Sequence, residues 1–170
     1  MKAILHHSAA KATHTKHQVM AIDESHRKRF GKISDLNFYV GYHFFIERDG
    51  TYTQTRNLNE RGYHTYDERN PDIDYGKHIG ICMAGNFEEQ KPSPKQLETL
   101  RVILFLRLLI KKEDIFLHRQ LDQTKCPGKN FTLFLVEDLY EQTKEKKSAR
   151  KLLLKGKKYL DIISRLLRLR

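Results

Sequence analysis

Nine histidines in 170 residues are many, and two positions close apolar, strand-like runs: the His6-His7 pair follows Ile4-Leu5, and His118 follows Ile115-Phe116-Leu117. Strand ends are where sheet enzymes place their sites. Cys126 follows His118 by eight residues and precedes Pro127-Gly128, a rigid turn able to aim a thiolate back at the histidine. Two imidazoles and one thiolate suit zinc. Structural zinc sites are closed by four protein ligands, whereas catalytic ones use three and keep a position for water. Three convincing ligands are present here. On spacing alone Cys126 is open to two readings, a metal ligand or a small buried hydrophobe, while His14, His17, His26 and His78 read as structural or solvated.

Such residues need a sheet to hold them. Ala3 to His6 reads as a short strand, and Thr15 to Phe30 as a helix with Val19, Ile22 and Phe30 in helical spacing and His26 on the apolar face. Phe38 to Arg48, then Asp49-Gly50, then Thr51 to Arg56 predict two strands joined by a tight turn. Asn57 to Lys77 is polar and broken by Gly62, Asn70-Pro71 and Gly76, the composition of a functional surface loop. Ile79 to Ala84 returns to strand character. Ser93-Pro94-Lys95-Gln96 opens a helix reaching about Lys111: Ser93 caps it, Pro94 takes the first helical position and Gln96 completes a capping box. Apolar residues flank its stripe of Leu97, Leu100, Ile103, Leu104 and Leu108, so much of its circumference is expected to be buried. Ile115 to Leu117 reads as a strand and Phe131 to Thr143 as a helix, with Phe134, Leu135 and Leu139 on one side. Strands alternating with helices make an α/β sheet covered by helices.

The length fits one domain with a real core. Lys and Arg total 32 against 21 Asp and Glu, a net charge of +11, at a mean hydropathy of -0.67. Collagen-like, mucin-like and disulfide-rich classes are excluded. The longest apolar run, Val102 to Leu106, falls far short of the roughly 20 residues of a membrane-spanning helix. The first strand begins at Ala3, which leaves no room for a secretory signal, so synthesis in the cytoplasm is expected. With such a start Cys82 and Cys126 read as thiols or ligands and not as a disulfide framework. The charge is uneven: the last 27 residues hold 11 Lys or Arg and 2 Asp or Glu, which leaves the other 143 at +2. A nucleic-acid-binding core would carry its basic stripe on the folded surface, so no nucleic-acid partner is expected.

Several ordered motifs, Ile4-Leu5-His6-His7-Ser8-Ala9, Gly41-Tyr42-His43-Phe44, Asp49-Gly50, Ile79-Gly80-Ile81, Gly85-Asn86-Phe87 and His118-Arg119-Gln120 through Thr124-Lys125-Cys126-Pro127-Gly128, resemble those of the zinc-dependent N-acetylmuramoyl-L-alanine amidases. The chain is similar both to the amidase-type lysozymes of phages and to the catalytic peptidoglycan recognition proteins, from about Lys2 to Phe134. The resemblance implies a central mixed sheet flanked by helices, zinc held by His6, His118 and Cys126, and an active-site tyrosine at Tyr42. It places Thr124, with Lys125 one position from the phage family's catalytic lysine, beside the reacting carbonyl, and His64 and Asn86 along a substrate groove. Cys82 stands where the muropeptide-recycling branch has a glutamate base. His7 turns to the opposite face of its strand, as do Tyr42 and His43 from one another. The implied reaction is hydrolysis of the amide between N-acetylmuramic acid and L-alanine of the stem peptide, as in a phage-type endolysin acting on the cell wall. The rival is a non-catalytic peptidoglycan-binding module; such members commonly carry serine in place of the cysteine.

Residues 144–170 lie outside the resemblance, which gives a division into an amidase domain, 1–143, and a cationic tail, 144–170. At 100° per residue Leu152, Leu153, Tyr159, Leu160, Ile163, Leu166 and Leu167 share one broad face, with Lys157, Lys158, Asp161, Arg165 and Arg168 opposite. This pattern suits a helix lying in an anionic membrane or envelope surface, and equally one docked on the core or on another subunit. Gly156 costs about 1 kcal/mol relative to Ala inside a helix, which predicts a hinge there or folding on binding.

Overall fold

The computed structural model describes residues 1–10, 18–65 and 77–167. Its strands are β1 (Ala3–His7), β2 (Phe44–Ile46), β3 (Tyr52–Gln54), β4 (Ile79–Met83) and β5 (Ile115–Leu117). They form one sheet in the order β3-β2-β4-β1-β5, antiparallel between β2 and β3 and parallel elsewhere. Among the described residues three α-helices accompany them: α1 (Gln18–Phe30), α2 (Pro94–Arg101) and α3 (Leu133–Leu167). Both β1 and β4 are buried along their whole length, which is why they read as continuous apolar runs and not as alternating ones.

Period-two alternation sorts the sheet into two faces. Ala3 and Leu5 pack with Phe44, Ile46, Ile79, Ile81 and Met83 beneath Leu100, Ile103, Val136 and Leu139 of the second and third helical segments. Across the sheet Phe45 and Cys82 meet Val19, Ile22, Val40 and Tyr42. His6 is the register partner of Cys82 and so belongs to this second, smaller face. His7 turns the other way, where its Nδ1 accepts the Phe87 N–H at 3.0 Å.

The capping box at Ser93 forms as read: its hydroxyl accepts the Gln96 N–H at 3.1 Å, and Gln96 Oε1 accepts the Ser93 N–H at 3.0 Å. Gln96 is fully buried because its Nε2 also donates to the Ala84 carbonyl at 2.8 Å, tying α2 to the end of β4.

Several expectations are corrected. The hairpin strands are three residues each, and 38–43 form no regular strand. Asp23 instead receives the Tyr39 and Val40 N–H groups at 2.6 and 3.1 Å. The second helix changes to π-helical geometry at Val102–Arg107 and stops before Leu109, whose φ is +52°; Val102, Leu106 and Leu109 are exposed, so its circumference is less buried than its composition implies. Phe134 points to solvent while Val136 and Leu139 face the core. The third helix does not end near Thr143 and continues as one α-helical segment through Gly156 to Leu167. Thr15 to His17, His14, the middle of the Asn57–Lys77 loop with Asn70-Pro71 and Gly76, the side chains of 158–167, and Arg168 lie outside the described residues.

Candidate metal centre and cleft

Three chain segments deliver the expected cluster. His6 comes from β1. His118 follows Leu117 directly at the end of the neighbouring β5, and the chain turns there into a short 3₁₀ segment, His118–Gln120. Cys126 arrives on a return loop that Arg119 pins: its backbone N–H donates to the Cys126 carbonyl at 2.8 Å, and its guanidinium donates to the Gly128 and Phe131 carbonyls at 2.9 and 2.7 Å. Gly128 has φ +97°, and a Cβ there would stand 2.6 Å from the Glu88 nitrogen, so glycine is needed for the return.

Ligand atoms of His6, His118 and Cys126 lie within 4.8 Å of one another, the one such His/Cys/Asp/Glu group among the described residues. Cys126 Sγ is 3.7 Å from His6 Nδ1; Zn–S and Zn–N bonds of about 2.3 and 2.0–2.1 Å at a tetrahedral angle put such atoms about 3.5 Å apart. Burial lowers the pKa of His6 well below the usual imidazole value, and lowers that of His118, so both rings are neutral and carry lone pairs. Asp122 Oδ2 lies 3.5 Å from His118 Nε2, too far for a hydrogen bond, and that buried nitrogen has no hydrogen-bond partner. Burial pushes the Cys126 thiol up to about 12, a poor nucleophile at neutral pH unless a cation draws off its proton. The residues fit a three-ligand metal ion.

Tyr42 packs its ring 5.1 Å from that of His6 and 5.5 Å from that of His26, against the sheet face that holds Cys82. Burial raises the phenol well above its ordinary value, so it stays an O–H donor. His43 is committed elsewhere: its Nδ1 accepts the Gly80 N–H at 3.1 Å and its Nε2 donates to the Glu60 carbonyl at 3.0 Å. His64 sits against His6, with 3.1 Å between His64 Nδ1 and His6 Nε2. His26 accepts the Gly41 N–H at 2.9 Å, holding the segment that carries Tyr42.

Of the other site residues read from the sequence, Thr124 is placed beside Cys126, whose N–H its hydroxyl accepts at 3.2 Å. Lys125 is exposed next to it. Asn86 does not join the cluster; its side chain accepts the Glu88 N–H at 3.1 Å in the turn after β4. A cleft of about 640 Å³ opens beside the cluster, lined among others by Phe30, Tyr42, Arg61, Tyr63, His64 and His118, a size that suits a small organic ligand.

Sequence reasoning read the loop that walls this cleft as functional, with His64 along the groove, but missed the residue that holds the wall in place. Arg56 is buried and donates to the Val40, Lys32 and Arg61 carbonyls at 2.7, 2.6 and 3.4 Å, with its guanidinium 5.1 Å from the Tyr63 ring. It knits three loop segments around the site. The signal for it was weak, an arginine ending a threonine-rich strand.

Comparison with known proteins agrees with this geometry. Residues 2–129 match the sequence profile of the family described as N-acetylmuramoyl-L-alanine amidase. Peptidoglycan-recognition protein SC1a of Drosophila melanogaster is 30% identical over 134 residues, 74% of this chain and 66% of that protein. The endolysin of Escherichia phage T7 is 32% identical over 98 residues, 52% of this chain and 59% of the endolysin. The chain spans about half the length of several curated relatives it matches, such as 47% of Drosophila melanogaster peptidoglycan-recognition protein SD. Among solved structures, the N-acetylmuramoyl-L-alanine amidase LysC from Clostridium intestinale URNW superposes with a TM-score of 0.61 at 29% identity, covering 84% of this chain and 83% of LysC.

Proposed function

The chain belongs to the N-acetylmuramoyl-L-alanine amidase family, and from that membership we propose that it hydrolyses the amide between N-acetylmuramic acid and the L-alanine of the peptidoglycan stem peptide, as a phage-type endolysin acting on the cell wall. The observation that carries this reading is the convergence of His6, His118 and Cys126 beside the cleft. Zinc is the proposed metal, since two neutral imidazoles and one thiol form a borderline-soft set with room for a fourth ligand.

When bound, zinc supplies Lewis-acid polarisation of the scissile carbonyl and acidifies a water for attack near neutral pH. The chain's own residues do the rest. His6, His118 and Cys126 hold the ion. Tyr42, kept protonated by burial, donates its O–H toward the oxyanion that forms at the carbonyl, an interaction that strengthens in the transition state. Thr124 Oγ1 accepts from the Cys126 N–H, which leaves its own proton for the same oxyanion, and the Lys125 ammonium stands next in the chain. Phe30, Tyr63 and the Arg61 side chain line the cleft for the sugar–peptide substrate. The thiol that faces His6 supports an enzyme over a binding-only module.

The same reading assigns 144–170 to a separate role, contact with an anionic membrane or envelope surface. Residues 144–154 are all exposed, with Leu152 at 70%, Leu153 at 71% and Leu154 at 59%, which supports a face turned to an external partner. Among the described residues no helix is long and apolar enough to cross a membrane.

The test is digestion of purified peptidoglycan with and without a chelator. Newly freed L-alanine amino groups are expected only in the metal-loaded sample; release of reducing sugar ends alone would show a glycosidase and overturn the reading.

A further inference from the structure

Every hydrogen-bonding site on the His64 ring is used inside the protein. Its Nε2 lies 3.1 Å from the His78 carbonyl oxygen and its Nδ1 lies 3.1 Å from His6 Nε2. A carbonyl oxygen only accepts, so His64 Nε2 carries the proton. The ring is buried with only a carbonyl and another imidazole at its two nitrogens, so it holds a single proton and its Nδ1 acts as an acceptor. His6 must then donate through Nε2, and a neutral His6 ring that is protonated at Nε2 is bare at Nδ1. That bare nitrogen is the one facing Cys126 Sγ at 3.7 Å. The direction of each bond follows from the one before it, starting at a backbone group that has no choice.

The ring is also fixed in place. A Cβ on Gly62 would lie 2.7 Å from His64 Nε2, and one on Gly80 would lie 2.7 Å from His64 Cγ. Both distances are shorter than real Cβ contacts allow, so two glycines from different segments form a slot that makes room for this ring. The His43 ring closes it at 6.0 Å, edge to face. His64 is 9% exposed, so although it borders the cleft it has no ring nitrogen left for a ligand.

We propose that His64 is a positioning residue which, held by the His78 carbonyl and the Gly62–Gly80 slot, sets the tautomer and orientation of His6 so that Nδ1 is presented to the metal. The inference rests on reading His6 as a metal ligand. Partners of this kind outside the ligand set typically change metal affinity 10–100-fold when removed. A purely structural residue would leave the protonation site of its neighbour unchanged; His64 does not.

The experiment is long-range ¹H–¹⁵N correlation of the histidine rings in the full, metal-free chain at neutral pH, joined to titration with Zn²⁺ and with Co²⁺, whose visible spectrum reports coordination. Wild type is expected to show both His6 and His64 protonated at Nε2. His64→Leu removes the acceptor; His6 should then populate both tautomers, and Zn²⁺ and Co²⁺ affinity should fall 10–100-fold. His64→Asn returns an oxygen acceptor near the place of Nδ1 and should recover most of that affinity. His6 protonated at Nδ1 in wild type overturns the proposal whatever the variants do, as does an unchanged His6 tautomer and affinity in His64→Leu. Wild type that binds neither ion while showing the expected tautomers would defeat the metal reading and leave the hydrogen-bond relay standing, so the two failures are distinguishable.

Discussion

His6 on β1 and Cys82 on β4 are register partners, and Tyr42 packs against the sheet face that holds Cys82 while its ring lies 5.1 Å from the His6 ring. Parallel pairing thus puts the proposed imidazole ligand and a packing partner of the phenol side by side on one sheet face. On the proposed mechanism the phenol acts on the reacting carbonyl and stands outside the ligand set. Tyr42→Phe is accordingly expected to keep full metal content and fold while turnover drops about a hundredfold or more, the usual cost of one oxyanion donor. Metal analysis and kinetics on the same preparation check this. Near-normal turnover would move the role to Thr124 or Lys125.

Cys126→Ser should bind metal far more weakly and lose hydrolysis while its circular dichroism matches wild type. The sulfur packs on the His7 N–H at 3.4 Å, a contact that a hydroxyl can replace, so the defect should be chemical and not structural. One zinc per active chain is expected by elemental analysis; active protein without metal would falsify the ligand assignment.

Much of this site was legible in the sequence because it lies at the ends of strands whose apolar runs mark them. β1, β4 and β5 announce His6, Cys82 and His118 by position, and the Ser93 capping box fixes where α2 starts. Less was legible where tertiary contacts override local pattern. Phe38 to His43 has strand composition, yet Asp23 and His26 take the N–H groups of Tyr39, Val40 and Gly41 that a ladder would have used. Arg56 reaches the Val40 and Lys32 carbonyls and His64 is faced by Gly80, partners set by the fold, and no periodicity reports them. Phe134 fits either side of a helical stripe on spacing; only the placement of Val136 and Leu139 against the sheet decides it.

Gly128→Ala combines a backbone at φ +97° with a Cβ 2.6 Å from the Glu88 nitrogen. Strain of this kind costs on the order of 1–3 kcal/mol, and its relief must move the loop that carries Cys126. Both a lower Tm and weaker metal binding are expected. A variant that loses stability but keeps wild-type metal affinity would show that the loop's path does not set the position of the sulfur.

Burial, aided by the Arg29 guanidinium, lowers His26 to about 4. Its folded-state pKa is therefore below that of the unfolded chain, near 6.5. Between these values the unfolded state binds the extra proton, so stability falls as pH drops from about 6.5 toward 4 and is flat for this group above 6.5. Protonation also costs Nδ1 its role as acceptor for the Gly41 N–H. His26→Asn, which keeps an acceptor but does not titrate, should show a shallower loss of stability across that window in urea titrations. Identical slopes for variant and wild type would place the acid sensitivity in the other buried histidines.

The C-terminal helix divides the two readings of the tail by what each requires of the core. Residues 144–154 are exposed, and the Lys146 ammonium lies 3.3 Å from Glu98 on the body, a surface pair worth little. If the tail serves an anionic surface, deletion of 148–170 should leave Tm and cleavage of soluble muropeptides unchanged. Binding to vesicles containing phosphatidylglycerol should be lost, and phosphatidylcholine vesicles should bind neither form. Leu152→Asp with Leu153→Asp in the full chain should weaken vesicle binding through lost apolar burial even though the basic charge is nearly intact, because insertion and attraction add. High salt should weaken wild-type binding through the 11 basic residues of the last 27. A truncated chain that aggregates or melts several degrees earlier would instead show that the apolar face covers part of the core or of a second subunit, and the surface role would then be abandoned.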